Sequence, residues 1–197
     1  MNPSFFRIAQ ELGIKTEELL SLIFLDFLRS KLMEDDKQQI ELIKEDLKKA
    51  LVDEWIASKQ YFIDSKNFGE NFGKNSSKQK KPGAFEKEKD EQILKIKNEL
   101  EKHGKEEALH AKILITLFNY LGECLPSHKQ TTKTSKQTDT NILRRNLKDE
   151  LKAVKDYKAI LKKLKNNGFS GGIVFDSINS ILSEELEHVE DLKKFLY

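Results

Sequence analysis

Cysteine occurs once in 197 residues, at Cys124, which excludes a disulfide within the chain and a four-cysteine zinc or iron module. Proline occurs three times and glycine nine times. A chain so poor in breakers favours long helices over short strands and tight turns. Neither sign of charge is in excess: 35 Lys and Arg against 33 Asp and Glu leave a formal net charge of +2. That balance gives no electrostatic reason for nucleic acid or an anionic membrane as a principal partner. Long hydrophobic runs are missing as well. The apolar stretch from Leu19 to Leu28 is too short to span a bilayer and is interrupted by Asp26. The first residues, from Met1 to Arg7, lack the charged-then-apolar profile of a signal peptide. The expectation is a cytoplasmic protein with no membrane partner.

What is present is helical patterning. Two polar stretches, 66–84 and 126–141, read as exposed connections. Around them, four segments carry an apolar stripe with the three-four spacing of a helix face. The first, about 37–65, runs through Ile40, Ile43, Leu47, Leu51, Glu54, Ser58 and Tyr61, and Asp36 with Gln39 has the spacing of a capping box at its start. The second, about 86–121, includes Ile96, Leu100, His103, Glu107, His110 and Leu114, with Gly122 placed to end it. The third, about 141–166, includes Leu143, Glu150, Val154, Tyr157 and Leu161, with Gly168 as its stop. The fourth, about 172–196, includes Ile178, Ile181, Glu185, His188 and Leu192.

Six ionisable residues therefore lie on otherwise apolar stripes: Glu54, Glu107, His110, Glu150, Glu185 and His188. They also form an internal repeat. Glu-x6-Tyr occurs at Glu54–Tyr61 and again at Glu150–Tyr157, and Glu-x-x-His at Glu107–His110 and Glu185–His188. The spacing from Glu54 to Glu107 exceeds that from Glu150 to Glu185 by about the length of the polar stretch at 66–84. The chain reads as a duplicated helical hairpin with an insertion in the first copy.

Four carboxylates cannot be buried together as anions, because each is costly to desolvate and all repel one another. Two divalent cations offset the four charges, and neutral imidazoles complete the coordination without changing the sum. An i, i+3 spacing sets each Glu and His on one helix face, within reach of a shared centre. Carboxylate oxygens with imidazoles suit iron or manganese, and iron is the first expectation.

The doubled Glu-x6-Tyr and Glu-x-x-His motifs resemble those of the bacterioferritin and rubrerythrin branch of the ferritin-like di-iron proteins, and EEALHAKILITLFNYLGECLP at 106–126 is the most family-like stretch. The resemblance covers roughly 37–197. It implies a ferritin-like four-helix bundle whose two hairpins are joined by a crossover. It further implies that Glu54 and His110 serve one iron and Glu150 and His188 the other, that Glu107 and Glu185 bridge the pair, and that Tyr61 and Tyr157 hydrogen-bond near the carboxylates. Haem-binding bacterioferritins place a Met directly after the Glu of the first Glu-x-x-His; Ala108 stands there, so no haem is expected. Rubrerythrins add a Glu ligand where this chain has Ala153. Nine residues follow His188, so a storage cage built on a fifth helix is not expected.

The function implied is oxidation of Fe(II) with O2 or peroxide, for iron handling or peroxide removal. A di-iron oxygenase and a manganese catalase-like enzyme use the same ligand types and stay open, as does a non-enzymatic helical adaptor. Residues 1–35 form a separate expectation, an amphipathic helical hairpin preceding the bundle at 36–197. Ala9, Gly13, Leu19 and Leu22 have helix-turn-helix spacing, but segment 16–28 is acidic and apolar and cannot grip phosphates. Phe24, Phe27 and Leu28 make it a candidate contact in a homo-oligomer, a dimer for instance. His103 is read as a hydrogen-bonded core or boundary histidine, and Cys124 as a bystander.

Overall fold

The Leu-, Lys- and Glu-rich segments form four α-helices: α1 (Thr16–Asn67), α2 (Ala84–Tyr120), α3 (Asp139–Asn166) and α4 (Ile173–Leu196). The computed structural model describes residues 16–70, 84–120 and 137–197, and for 16–33, 84–86 and 120 it describes the backbone alone. No strand occurs among the described residues, and none of their helices is long and apolar enough to cross a membrane. The fold is an all-α four-helix bundle, as expected.

Packing follows the duplicated halves: α1 lies chiefly on α2 and α3 chiefly on α4. The contacts fix direction. Ser58 of α1 meets Gly104 of α2, and Glu54 approaches His110, so α1 and α2 are antiparallel. Lys49 pairs with Asp156 and Lys163 with Asp46, so α1 and α3 are antiparallel too. Consecutive α2 and α3 therefore run the same way, and α3 begins at the end of the bundle opposite to that where α2 stops. That is the crossover arrangement. The chain at 121–136, including Gly122, Cys124 and most of the expected connection at 126–141, lies outside the described residues, as does 71–83 of the first one.

The stripes point inward as their spacing predicts. Ile40, Ile43, Leu47, Leu114, Leu117, Ile178 and Ile181 are buried in one apolar cluster. Phe68, Ile96, Leu100, Ile142, Leu143 and Leu192 form a second with Tyr61. The six acidic and imidazole groups lie between these two layers and are themselves buried. Gly168 ends α3 as expected: at φ +88° it takes the left-handed conformation, and Phe169 N–H returns to Leu164 O at 3.1 Å.

One expectation is overturned. Asp36 does not cap the first helix, because α1 begins at least twenty residues earlier and runs through the position unbroken. Its buried carboxylate instead accepts from the backbone N–H groups of Ile173 and Val174, at the start of α4. Gln39 donates to Gly171 O at 3.4 Å. Gly172, the residue before α4, has φ +97° and offers no side chain, so Asp36 of α1 satisfies orphan donors that a local cap otherwise would. Asp36 thus caps a helix other than its own, and Gln39 takes no part in a capping box. Of the hairpin expected at 1–35, residues 1–15 lie outside the described residues and 16–33 are described by their backbone alone, which is continuous with the rest of α1.

α1 and α2 approach closely at Gly104, where an added Cβ would stand 3.1 Å from Tyr61 Cβ and 3.3 Å from Ser58 O. Gly104→Val is expected to destabilise the fold by roughly 1–3 kcal/mol through overpacking. Leu94→Ala, at a position 58% exposed, should change stability by no more than about 0.5 kcal/mol. Denaturant midpoints of the two variants check the contrast.

Candidate metal centre

Each helix delivers its site residue from the middle of its buried stripe. Glu54 comes from α1, Glu107 and His110 from α2, Glu150 from α3, and Glu185 and His188 from α4, and all six are buried. They converge. Glu54, Glu107, His110 and Glu185 each offer a donor atom within 4.8 Å of the others, and so do Glu107, Glu150, Glu185 and His188. Glu107 and Glu185 belong to both groups.

The details repeat across an approximate twofold. His110 Nδ1 is 2.9 Å from Glu185 Oε1 and 3.5 Å from Glu54 Oε2. His188 Nδ1 is 3.0 Å from Glu107 Oε1 and 3.7 Å from Glu150 Oε2. The other ring nitrogens face outward: His110 Nε2 lies 3.0 Å from Glu184 Oε2, and His188 Nε2 lies 3.0 Å from Glu106 Oε2. An outer carboxylate fixes each ring and claims its Nε2 proton, which turns the Nδ1 lone pair toward the cluster. Tyr61 Oη donates to Glu150 Oε1 and Tyr157 Oη to Glu54 Oε1, so each tyrosine holds the carboxylate of the other half.

Hydrogen bonds account for the periphery of this cluster and not for its middle. Glu107 Oε1, Glu150 Oε2, both oxygens of Glu185, His110 Nδ1 and His188 Nδ1 are buried with no hydrogen-bond partner. Such atoms are costly to leave unpaired in a dry interior. Here they are lone-pair donors facing one another at about the separations two neighbouring ligands of one metal keep. The donor set fits two divalent cations, and these buried groups could hold metal ions.

Without cations, protons take their place. Burial, reinforced by the charge of Glu107, raises the Glu54 carboxyl well above the usual carboxylate range, and burial does the same to Glu185. Burial also pushes Glu107 upward, but the close approach of Glu54 and of the two imidazoles outweighs it and holds Glu107 low. Burial disfavours charge on His110 and His188, yet the surrounding carboxylates, led by Glu107, overcome this and raise both. Tyr61 and Tyr157 are raised by burial and by the carboxylates they touch, so both stay protonated as donors.

The two faces of the bundle differ. Between α1 and α3 a cavity of about 640 Å³ reaches Glu54, Glu107, Glu150 and both tyrosines. Ala50, Ala57, Ala153, Ile56 and Ile160 line it, and the exposed pairs Lys49–Asp156 and Lys152–Asp53 lie at its rim. On the α2–α4 face the outer residues Glu106 and Glu184 back the imidazoles. Sequence reasoning missed both, although a signal was present: each repeat reads Glu-Glu-x-x-His, and the first Glu of each doublet falls beside the stripe. It also missed Arg145, which pairs with the buried Asp64 and accepts no part in the stripes. His103 is buried as expected, edge-on to Tyr61 with ring centroids 5.5 Å apart, but it lacks the hydrogen bonds expected of it.

No protein-family model, curated protein or solved structure matches the chain.

Two outcomes follow from this geometry. Metal can bind only when protons leave His110, His188, Glu54 and Glu185, so affinity should fall as pH is lowered and uptake should release protons. Titration calorimetry in buffers of different ionisation enthalpy measures that release, and its absence would sink the account. Replacing the outer carboxylates, Glu106→Gln with Glu184→Gln, should weaken metal binding about 10–100-fold while leaving the helices intact, as read by competition with a chelator and by circular dichroism.

Proposed function

We propose that the chain is a ferritin-like di-iron protein, of the bacterioferritin and rubrerythrin branch, that oxidises Fe(II) with O2 or peroxide. One observation carries the reading: six buried donor residues, in two overlapping sets sharing Glu107 and Glu185, five of which turn inward an atom with no hydrogen-bond partner. A purely structural polar seam would satisfy those atoms. Four carboxylates and two imidazoles suit iron, and manganese is the alternative occupant.

The substrate Fe(II) is taken from water into a dry site where carboxylates replace its hydration shell. Two Fe(II) ions surrender one electron each. Peroxide accepts the two electrons with two protons and becomes two waters; O2 accepts them with two protons and becomes peroxide. The extra positive charge on the oxidised ions is met by ionised Glu54 and Glu185, whose protons leave as metal enters. Glu106 and Glu184 hold the imidazoles with Nδ1 inward. Tyr61 and Tyr157 hold Glu150 and Glu54 by one oxygen each, which leaves the second oxygen of each carboxylate for the metal.

The α1–α3 cavity favours a second reading, a di-iron oxygenase acting on an organic molecule. Alanines at 50, 57 and 153 leave room for a bound group next to Glu54 and Glu150. Under the first reading the cavity serves only the oxidant.

The test is stopped-flow oxidation of anaerobically added Fe(II), followed by ferric absorbance. The native chain should oxidise Fe(II) at least tenfold faster than a Glu107→Ala, Glu185→Ala variant of unchanged helicity. Equal rates would refute the proposal. Metal analysis of the purified protein distinguishes iron from manganese, and O2 consumed beyond what the added Fe(II) accounts for would favour the oxygenase.

A further inference from the structure

On the outer side of His188, α2 and α4 bring together a second set of donors. Glu99, His103 and Asp191 each present an atom within 4.8 Å of the other two. Glu99 and His103 are one turn apart on α2, i and i+4, and so share a face. Asp191 approaches that face from α4.

His103 makes this more than an acidic cluster. It is fully buried, and neither of its ring nitrogens has a hydrogen-bond partner. Its Nε2 stands 3.8 Å from Glu99 Oε1 and 3.8 Å from Asp191 Oδ2, aimed between the two carboxylates. That separation is too long for a hydrogen bond. It suits two ligands of one cation, since donors about 2.0–2.2 Å from a metal lie roughly 3–4 Å from each other. The competing contacts are weakly held. Lys102 Nζ is 3.0 Å from Glu99 Oε1 and Lys194 Nζ is 2.8 Å from Asp191 Oδ1, and both lysines are more than half exposed. Lys194 takes the Asp191 oxygen that faces away from His103.

Access is built in. Glu99 and Asp191 are each about a quarter exposed, so an ion can be met at the surface while the imidazole waits behind it. Behind His103 the His188 ring follows with centroids 4.2 Å apart, and Glu106 links the two regions by its contact with His188 Nε2.

We propose that Glu99, His103 and Asp191 form a mononuclear divalent-cation site, separate from the six-residue cluster, at which an ion waits on the α2–α4 face before reaching the buried centre. That the ion is Fe(II) rests on the function proposed above; the site itself does not.

Equilibrium dialysis of the full chain against Zn(II), with metal counted by elemental analysis, tests it. A His103→Gln, Asp191→Asn variant should bind one ion fewer per chain than the native protein. The Glu107→Ala, Glu185→Ala variant should lose ions from the buried centre and keep this one. Asp191→Asn alone, at a partly exposed position, should weaken the last-bound ion at least tenfold, which guards against misfolding of the buried histidine variant. If the native protein and both His103/Asp191 variants bind equal numbers with equal affinity, the site does not exist, and the buried centre is unaffected by that result. If instead only the Glu107/Glu185 variant fails to change the count, the dinuclear reading falls and the present one stands.

Discussion

Lone pairs facing lone pairs in a dry interior are the constraint from which the rest of the structure follows. Four carboxylates and two imidazoles converge between two apolar layers, and six of their inward atoms have no hydrogen-bond partner. Such a cluster is stable only if positive charge enters it, as protons or as metal. The surrounding devices have one effect in common: they prevent the donors from escaping this conflict by rotating away. The tyrosines pin two carboxylates, and outer glutamates pin both imidazoles. The close passage of α1 over Gly104 sets the depth of Tyr61.

Much of this was legible from spacing alone. The three-four stripes placed Ile40, Leu47, Leu100, Leu114, Leu161 and Ile178 in the core, because helix periodicity converts directly into a buried face. The same rule placed the six acidic and imidazole residues inside, since a residue on a buried stripe is carried inward whatever its chemistry. The repeat then assigned Tyr61 and Tyr157 to matching positions. Which carboxylate each tyrosine would reach was not readable. That depends on α1 lying against α3, a pairing between distant segments that periodicity does not encode.

What escaped the sequence is of the same kind. Asp36 and Gln39 have a capping spacing, and local reading spends it on the nearest helix start; in the fold Asp36 caps α4 across the bundle and Gln39 donates to Gly171 O just before it. Glu106 and Glu184 look like ordinary charged residues on a helix flank until the facing helix supplies an imidazole nitrogen at 3.0 Å. Buried Asp64 of α1 meets the partly buried Arg145 of α3 as an ion pair. Each is a polar contact between elements far apart in the chain, and single-helix patterns carry information about one face of one helix only.

The reciprocal tyrosine bonds carry a consequence for the history of the chain. Each half supplies a phenol that its own carboxylate never touches, so one hairpin by itself cannot complete even half of the constellation. An ancestral single-hairpin polypeptide could have worked only as a symmetric pair, with each copy lending its phenol to the other. Fusion of two copies then keeps the halves in equal supply and frees each to diverge wherever the loan is not at stake, as at the unequal connections between the helices.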